Sequence, residues 1–198
     1  MTISPGVVLY GPPASGKSTI TRELCEQDSR FQLFRRLKVG RGRFHEYRRR
    51  AIDDLDEYRR RGDIIWENEQ YGSVYLVDRP ELIRMVGENG IPVVHLGQPD
   101  AIHALVRNRE PSINWFTVAL VCPRSVARER ILRRPTGDTA ARLSVWDQTA
   151  ALTIPDLVVD TSTCSPQKGA QFIRDIVCRE TRSSGSSTGP LKNPISNT

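Results

Sequence analysis

Two residues suited to phosphate chemistry, Lys17 and Ser18, stand at the end of a glycine-rich turn near the N-terminus. They complete the stretch 11–18, which satisfies G-x-x-x-x-G-K-[ST] at every fixed position. Backbone N–H groups of such a turn form a nest for anions, and a following helix adds about half a positive charge. Lys17 can reach the outer phosphates of a nucleotide, and the Ser18 hydroxyl can ligate Mg²⁺. The motif therefore predicts ATP binding, with Mg²⁺ at Ser18, by Gly11, Pro12, Pro13, Ala14, Ser15, Gly16, Lys17, Ser18 and Thr19.

A second group of chemically capable residues surrounds a break between two predicted helices. It consists of Arg130, Arg133, Arg134 and Arg142, and the break contains a proline and a glycine. Arginine donors stabilise the charge that develops in phosphoryl transfer, an effect worth about 10³–10⁵ in rate. A hinged segment is also what a closing lid requires. We therefore predict catalytic roles for Lys17, Arg130, Arg134 and Arg142, and a lid over about residues 133–143.

The positive charge of the chain is concentrated in residues 35–61. This segment contains eleven basic and five acidic residues, so it carries the whole net charge of +6 and the remainder is neutral. Such a distribution indicates a local anionic partner. Nucleic-acid binding is the less favoured interpretation, because interspersed acids and few aromatic residues do not suit a track for a nucleic-acid backbone. We expect a small anionic molecule as partner, and no nucleic acid.

Length and composition narrow the class of protein. A chain of 198 residues is typical of one domain, and its four cysteines show no C-x-x-C spacing, as expected of reduced thiols. The N-terminus lacks the pattern of a signal peptide, and no stretch approaches the roughly 20 apolar residues that span a bilayer. We therefore expect a cytoplasmic protein without membrane contact, and a homodimer is one oligomeric state left open.

Short apolar runs alternate with helical patterns along most of the chain. This alternation predicts an α/β fold with a central parallel sheet and helices on both faces. Residues 39–43, with two glycines, are predicted to be flexible or tightly turned. From Thr181 the composition is Ser-, Gly- and Pro-rich with little to bury, so residues 181–198 are expected to form a disordered tail. The main strands are predicted at 7–10, 91–96, 115–121 and 157–160.

Three stretches make the chain similar to the guanylate kinase family of nucleoside monophosphate kinases. They are residues 11–19, the sequence Tyr71-Gly72-Ser73 after 64–67, and the arginine-rich stretch 130–142 with its Thr-Asp element. The resemblance implies a P-loop NTPase three-layer sandwich over residues 1–180. Its core would comprise 1–34 and 90–180, with an acceptor-binding subdomain inserted at about 35–80 and a short lid.

The same resemblance implies roles for individual residues. Arg35 and Lys38 fall where the family holds the acceptor's phosphate, and Tyr47 falls where a tyrosine hydroxyl reaches that phosphate. Tyr71 and Ser73 correspond to the element that touches both phosphate and base. Glu67 corresponds to the carboxylate that reads guanine, since a carboxylate accepts two N–H donors at once.

Two departures from the family pattern concern the acceptor. The segment after Glu67 is shorter than in the family, so Trp66, Glu67 or Glu69 could occupy the base-reading position. His95 stands where the family has an aspartate near the metal and acceptor. It could hydrogen-bond a phosphate or a different acceptor, and a packed histidine at the end of a strand is an equal alternative.

Together these features favour an ATP-dependent kinase that acts on a small phosphorylated acceptor, foremost a nucleoside monophosphate. No general base is required, because an acceptor phosphate oxygen is already anionic. The altered base-reading region leaves open a modified nucleotide, a sugar phosphate or a specialised metabolite as acceptor. A non-catalytic nucleotide-binding or scaffolding module is the alternative from another class.

Overall fold

Strands and helices alternate through most of the chain. The structure, a computed structural model, describes residues 3–40, 47–49, 52–70, 72–133 and 138–184. The strands within these ranges are β1 (Ser4–Tyr10), β2 (Phe31–Leu33), β3 (Leu37–Gly40), β4 (Arg48–Arg49), β5 (Ile64–Gln70), β6 (Ser73–Asp78), β7 (Ile91–Leu96), β8 (Ile113–Val121) and β9 (Leu157–Asp160). The helices are α1 (Lys17–Gln27), α2 (Ile52–Arg61), α3 (Arg79–Gly87), α4 (Pro99–Arg107), α5 (Arg124–Leu132), α6 (Thr139–Gln148) and α7 (Pro166–Ser184).

The central sheet has five parallel strands in the order β2-β7-β1-β8-β9. Strand β1 pairs on one side with β7, with Leu9 opposite His95, and on the other side with β8. The carboxyl end of β1 therefore lies between two strands that are distant from it in sequence. In open α/β sheets, ligands bind beyond the carboxyl ends of the strands at such a switch point.

Alternate residues of β1 enter two different hydrophobic clusters. Val7 and Leu9 pack with side chains of α1 and α7, whereas Val8 and Tyr10 pack with side chains of α3 and α4. All four β1 residues are at most 2% exposed. A strand buried on both faces belongs to the centre of a three-layer structure. These layers confirm the predicted α/β P-loop NTPase fold class.

A second, four-stranded sheet lies between β2 and α3 in the chain. Its order is β4-β3-β6-β5, and β6 runs antiparallel to both neighbours. Helix α2 covers one face, where Leu55 packs against Leu37, Val39 and Leu76. The other face of the sheet is therefore left for contacts that do not involve α2.

The structure corrects two details of the sequence-based assignment. Residues 39 and 40 were expected in a flexible or tight turn, but they belong to β3, because β6 supplies a paired partner for each residue from Leu37 to Gly40. Residues 41–43 of that expected turn lie outside the described ranges. Helix α7 continues to Ser184, so residues 181–184 of the expected tail are helical, and residues 185–198 lie outside the described ranges. No helix in the described ranges is both long and apolar enough to cross a bilayer.

Candidate nucleotide and acceptor site

The glycine-rich turn follows directly from β1 at the carboxyl end of the central sheet. Gly11 has φ 153° and Gly16 has φ 102°, both in the region that favours glycine. A Cβ on Gly11 would lie 2.6 Å from the carbonyl oxygen of Leu120, so a side chain cannot be added there without moving backbone. Ala14 also has positive φ, 62°, which is uncommon for a residue with a side chain. The turn is thus a strained backbone cradle.

Lys17 curls back over this turn. Its Nζ donates to the carbonyl oxygens of Gly11 at 2.5 Å and Pro12 at 2.8 Å, and Ser15 Oγ lies 3.4 Å away. Ser15 is completely buried. The ammonium group is therefore held beside the backbone amides of the turn, where an anion would meet both.

The first turn of α1 has the properties of an anion and metal site. Gly16 precedes the helix, whose first N–H groups have no intrahelical partner, and no described side chain caps them. The Ser18 side chain is exposed. The described ranges hold no cluster of His, Cys, Asp or Glu able to bind a metal by itself. Mg²⁺ usually keeps waters and phosphate ligands, so a single hydroxyl such as that of Ser18 fits its needs.

Thr161, in the turn after β9, contacts the glycine-rich turn, strand β8 and helix α5. Its hydroxyl lies 3.0 Å from the carbonyl oxygen of Ser15 and 3.2 Å from that of Val121. Arg130 of α5 donates from Nη1 to Thr161 Oγ1 at 3.0 Å and from Nη2 to the Thr161 carbonyl at 2.7 Å. The same Nη1 donates to the carbonyl of Ala14 at 3.1 Å. The predicted catalytic Arg130 is therefore docked on the turn, and Thr161 is a site residue that the sequence analysis missed.

A cavity of about 410 Å³ opens beside this network. It lies between the start of α1, helix α5 and the segment after β9, and its walls include Gly16, Thr19, Arg130, Thr161 and Pro166. A nucleotide whose phosphates lie at the start of α1 could place its base or sugar in this space.

His95 lies at the carboxyl end of β7, next to the glycine-rich turn. Its Nε2 is 2.7 Å from Thr21 Oγ1, and Thr21 Oγ1 is also 3.0 Å from the carbonyl oxygen of Lys17. If that hydroxyl donates to the Lys17 carbonyl, His95 donates to Thr21 through Nε2–H. Burial, together with the positive charges of Lys17 and Arg36, lowers the pKa of His95 to about 3. His95 is therefore neutral at physiological pH.

A cluster of two cations and two aromatic rings lies on the second sheet. Tyr47 and Tyr75 have ring centroids 5.2 Å apart. Lys38 Nζ lies 5.8 and 5.5 Å from these two centroids, and the Arg36 guanidinium lies 5.7 and 5.4 Å from them. Burial lowers the pKa of Lys38. Of the residues predicted to hold an acceptor phosphate, Lys38 and Tyr47 are in this cluster, which we call the cation-aromatic cluster (Arg36, Lys38, Tyr47 and Tyr75).

Arg35 is not among the residues in contact with these rings. Its side chain is exposed, and its carbonyl oxygen accepts from Arg48 Nε at 2.7 Å. The neighbouring Arg36 reaches the rings instead, and a role of Arg35 at the acceptor's phosphate stays a prediction. Arg48 also pairs with Asp78, whose side chain is 0% exposed and caps α3 through the N–H of Glu81. Burial raises the pKa of Asp78, while the charge of Arg48 opposes that rise.

The remaining predicted acceptor residues are divided between the two faces of the second sheet. Glu67 lies opposite Leu76, on the α2 face, and forms an ion pair with Arg59 at 3.1 Å. Ser73 is buried and lies opposite Gly40, so close that a Cβ on Gly40 would lie 2.5 Å from Ser73 Oγ. The structure therefore does not bring Glu67 together with Lys38 and Tyr47.

The arginines after α5 are described only in part. Arg142 of α6 donates from Nε to Asp138 at 2.7 Å, one turn earlier. Arg134, predicted to act in catalysis, and Tyr71, predicted to touch the acceptor, lie outside the described ranges. Helices α5 and α6 are joined by a two-bond pair between Arg124 and Asp147, at 2.6 and 2.8 Å.

Comparison with solved structures supports the fold. Guanylate kinase from Anaplasma phagocytophilum is 17% identical and has a TM-score of 0.57, with 91% of this chain and 88% of that chain covered. The protein APE1195 is 18% identical with a TM-score of 0.50, covering 91% and 98%. A sugar kinase from Janibacter sp. HTCC2649 is 16% identical with a TM-score of 0.49, covering 90% and 98%.

Comparisons at the level of sequence add no relative. A scan against models of protein families finds no match, and no curated protein matches the chain. Sequence identities of 17–18% indicate a similar fold and do not indicate a shared activity. The chain is therefore similar in fold to the Anaplasma guanylate kinase, as its glycine-rich turn and layered sheet indicated.

Proposed function

We propose that this protein is an ATP-dependent kinase that phosphorylates a small acceptor already bearing a phosphate group. In this proposal the glycine-rich turn, Lys17 and the exposed Ser18 hydroxyl bind the phosphates of ATP and Mg²⁺. The cation-aromatic cluster binds the phosphate of the acceptor. Such an enzyme would work where ATP is abundant, in the cytoplasm.

One observation carries the proposal: the glycine-rich turn holds the ammonium group of Lys17 beside the start of α1, 2.5 Å from the carbonyl oxygen of Gly11 and 2.8 Å from that of Pro12. This is where the phosphates of ATP would bind. The positive charges of Lys17 and of Arg36, which belongs to the cation-aromatic cluster, both lower the pKa of His95, whose ring contacts α1 through Thr21. That shared effect supports a transfer between a phosphate at the turn and a phosphate at the cluster.

The cation-aromatic cluster has the composition of an anion-binding site, with two cations beside two tyrosines. Lys38 is only 5% exposed, and its burial disfavours the charged form. A phosphate bound beside Arg36 and Lys38 would receive charge-assisted hydrogen bonds, which are among the stronger hydrogen bonds in proteins. Tyr47 and Tyr75 would limit the access of water to that contact.

The chemistry of this transfer asks mainly for positioning and charge. Bound ATP would supply the phosphoryl group that is transferred. Lys17, the arginines at α5 and α6, and the first turn of α1 would stabilise the negative charge that spreads over the transferred group. A phosphate acceptor needs no proton removed from its attacking oxygen. The neutral state of His95 fits this, because a group with pKa near 3 is a weak base at physiological pH.

A nucleoside monophosphate is the first candidate acceptor, because the stretches that resemble guanylate kinases include the acceptor-binding element. A phosphorylated sugar is the second candidate. The pairing of Glu67 with Arg59, on the face away from the cation-aromatic cluster, favours it, because the carboxylate expected to read guanine is engaged elsewhere.

ADP formation measured with a panel of acceptors tests the proposal. The panel contains GMP, dGMP, AMP, CMP and UMP, together with pentose and hexose phosphates, each with ATP and Mg²⁺. We expect acceptor-dependent ADP release with at least one compound and none with its dephosphorylated analogue. Release that is the same with and without every acceptor would reject a kinase of phosphorylated acceptors.

A further inference from the structure

Asn68 of β5 has a buried oxygen that makes no hydrogen bond within the described part of the chain. Leaving a buried acceptor unpaired costs about 1–3 kcal/mol, so native structures rarely keep one without a reason. The reason can be a ligand, and the position of Asn68 beside the cation-aromatic cluster points to one.

Strand register puts Asn68 in line with that cluster. Asn68 lies opposite Tyr75 on one side of β6, and Lys38 lies opposite Tyr75 on the other side. Directly opposed residues share a face of the sheet, so Lys38, Tyr75 and Asn68 form a row across three strands. The row is about 10 Å long, since neighbouring strands are about 4.8 Å apart. That length accommodates a phosphate at one end and a sugar or base at the other.

The acidic neighbours of Asn68 lie on the opposite face. Glu67 is opposite Leu76 and Glu69 is opposite Val74, and both of these partners pack on the α2 side. Glu67 is held there by Arg59. The row therefore offers an acceptor molecule an uncharged amide where a guanine-reading site would offer a carboxylate.

We propose that Asn68 is a specificity-determining residue that accepts a hydrogen bond from an uncharged hydroxyl or amino group of the acceptor molecule. The inference rests on the proposed function and narrows its substrate class. One amide oxygen can serve a sugar hydroxyl or an exocyclic amine, but it cannot accept both adjacent N–H donors of guanine as a carboxylate does. Amide side chains also pair well with edges that combine a donor and an acceptor, as adenine does.

Two variants of neighbouring residues distinguish this inference from its alternative, in which Glu67 reads the acceptor molecule. Asn68→Ala removes the unpaired oxygen, and Glu67→Gln removes the carboxylate on the other face. Both are assayed for KM and kcat with the best acceptor of the panel, and with an analogue that lacks its hydroxyl or amino donor. A sugar phosphate and an amino-bearing nucleotide in the panel show which source supplies the donor.

We expect Asn68→Ala to raise KM for the best acceptor about tenfold, which corresponds to the loss of one hydrogen bond, with kcat changed less than threefold. The same variant should bind the analogue as the wild type does. Its melting temperature should not fall, because the removed oxygen has no partner in the folded protein. Glu67→Gln should change KM less than twofold.

The outcomes that overturn the inference are distinct from those that overturn the proposed function. If the wild type forms ADP with an acceptor but Asn68→Ala keeps its KM, or if Glu67→Gln produces the tenfold rise instead, the role of Asn68 is wrong and the kinase proposal stands. If the wild type forms no ADP with any acceptor, both are wrong.

Discussion

The hydroxyl of Thr161 offers a sharp test of how the turn after β9 supports the glycine-rich turn. Thr161→Val keeps the branched shape of the side chain and removes only the oxygen. That oxygen accepts from Arg130 at 3.0 Å and lies 3.0 Å from the carbonyl of Ser15. Both contacts reach residues that border the cradle for phosphates, so their loss should loosen it.

The expected loss of free energy follows from the hydrogen bonds that remain in the variant. A neutral hydrogen bond contributes about 0.5–1.5 kcal/mol, and one to a charged group about 1.5–3 kcal/mol. In Thr161→Val, Arg130 still donates to the carbonyl oxygens of Thr161 at 2.7 Å and Ala14 at 3.1 Å. Its charge therefore stays hydrogen-bonded, and the lost contact should cost an amount near the lower end of the range for charged groups. The sum is about 2 kcal/mol. If all of it appeared in nucleotide binding, the dissociation constant of ATP would rise about 30-fold.

Calorimetric titration with a non-hydrolysable ATP analogue and urea unfolding measure this loss in binding and in stability. We expect the dissociation constant to rise about 5- to 30-fold and the free energy of unfolding to fall by about 1–2 kcal/mol. Thr163→Val is the matched control, because its hydroxyl, within the described ranges, makes a single long contact of 3.4 Å with the carbonyl of Asp160. A double-mutant cycle with Arg130→Met should give a coupling of at least about 1 kcal/mol. An unchanged dissociation constant, or strict additivity in the cycle, would refute this account of the network.

Three further predictions concern the acceptor side of the site. Burial and nearby positive charge lower the pKa of His95 to about 3 from 6.5, so the unfolded chain binds the extra proton between these values. The free energy of unfolding should therefore lose up to about 1.4 kcal/mol per pH unit as the pH falls below 6.5, and urea titrations of His95→Gln should lack this slope. Gly40→Ala should lower the free energy of unfolding by about 1–3 kcal/mol, because Gly40 has φ 137° and a Cβ there would lie 2.5 Å from a side chain of β6. The control Gly87→Ala, whose Cβ would have nothing within 4 Å, should leave the free energy of unfolding unchanged or raise it. Arg36→Ala should raise KM for the acceptor more than tenfold and Arg35→Ala less than threefold, because Arg36 lies over both tyrosine rings whereas Arg35 is exposed. Equal effects of the two variants on KM would contradict this assignment.

Elements with strong local signals were predictable from the sequence. The strand at 91–96 and the strand at 157–160 have the predicted bounds, because short, mostly apolar runs of this length suit strands of a parallel sheet. The sequence predicts the first helix over 18–27, and α1 begins one residue earlier, at Lys17, since the glycine-rich turn fixes where the chain can enter a helix. In each case the local sequence and the global fold favour the same structure.

Features that depend on pairing between distant strands were not predictable. Strand β3 has a buried lysine and a terminal glycine, and it forms because β6 supplies its hydrogen-bond partners. The face on which Asn68 lies depends on a register irregularity between Ile64 and Trp66, which simple alternation from the start of β5 does not reveal. Thr161 carries no signal of spacing or composition, and only the meeting of β9 with the glycine-rich turn makes it part of the site.

The most direct test of the central claim is acceptor-dependent ADP formation by Lys17→Ala. Its control is Arg22→Ala, which removes a positive charge from an exposed position of the same helix, where the side chain is 64% exposed. The account predicts that Lys17→Ala loses at least about 100-fold in kcat/KM while Arg22→Ala stays within twofold of the wild type. A Lys17→Ala variant with the ATP affinity and kcat/KM of the wild type would contradict the assignment of this turn as the site of phosphoryl transfer.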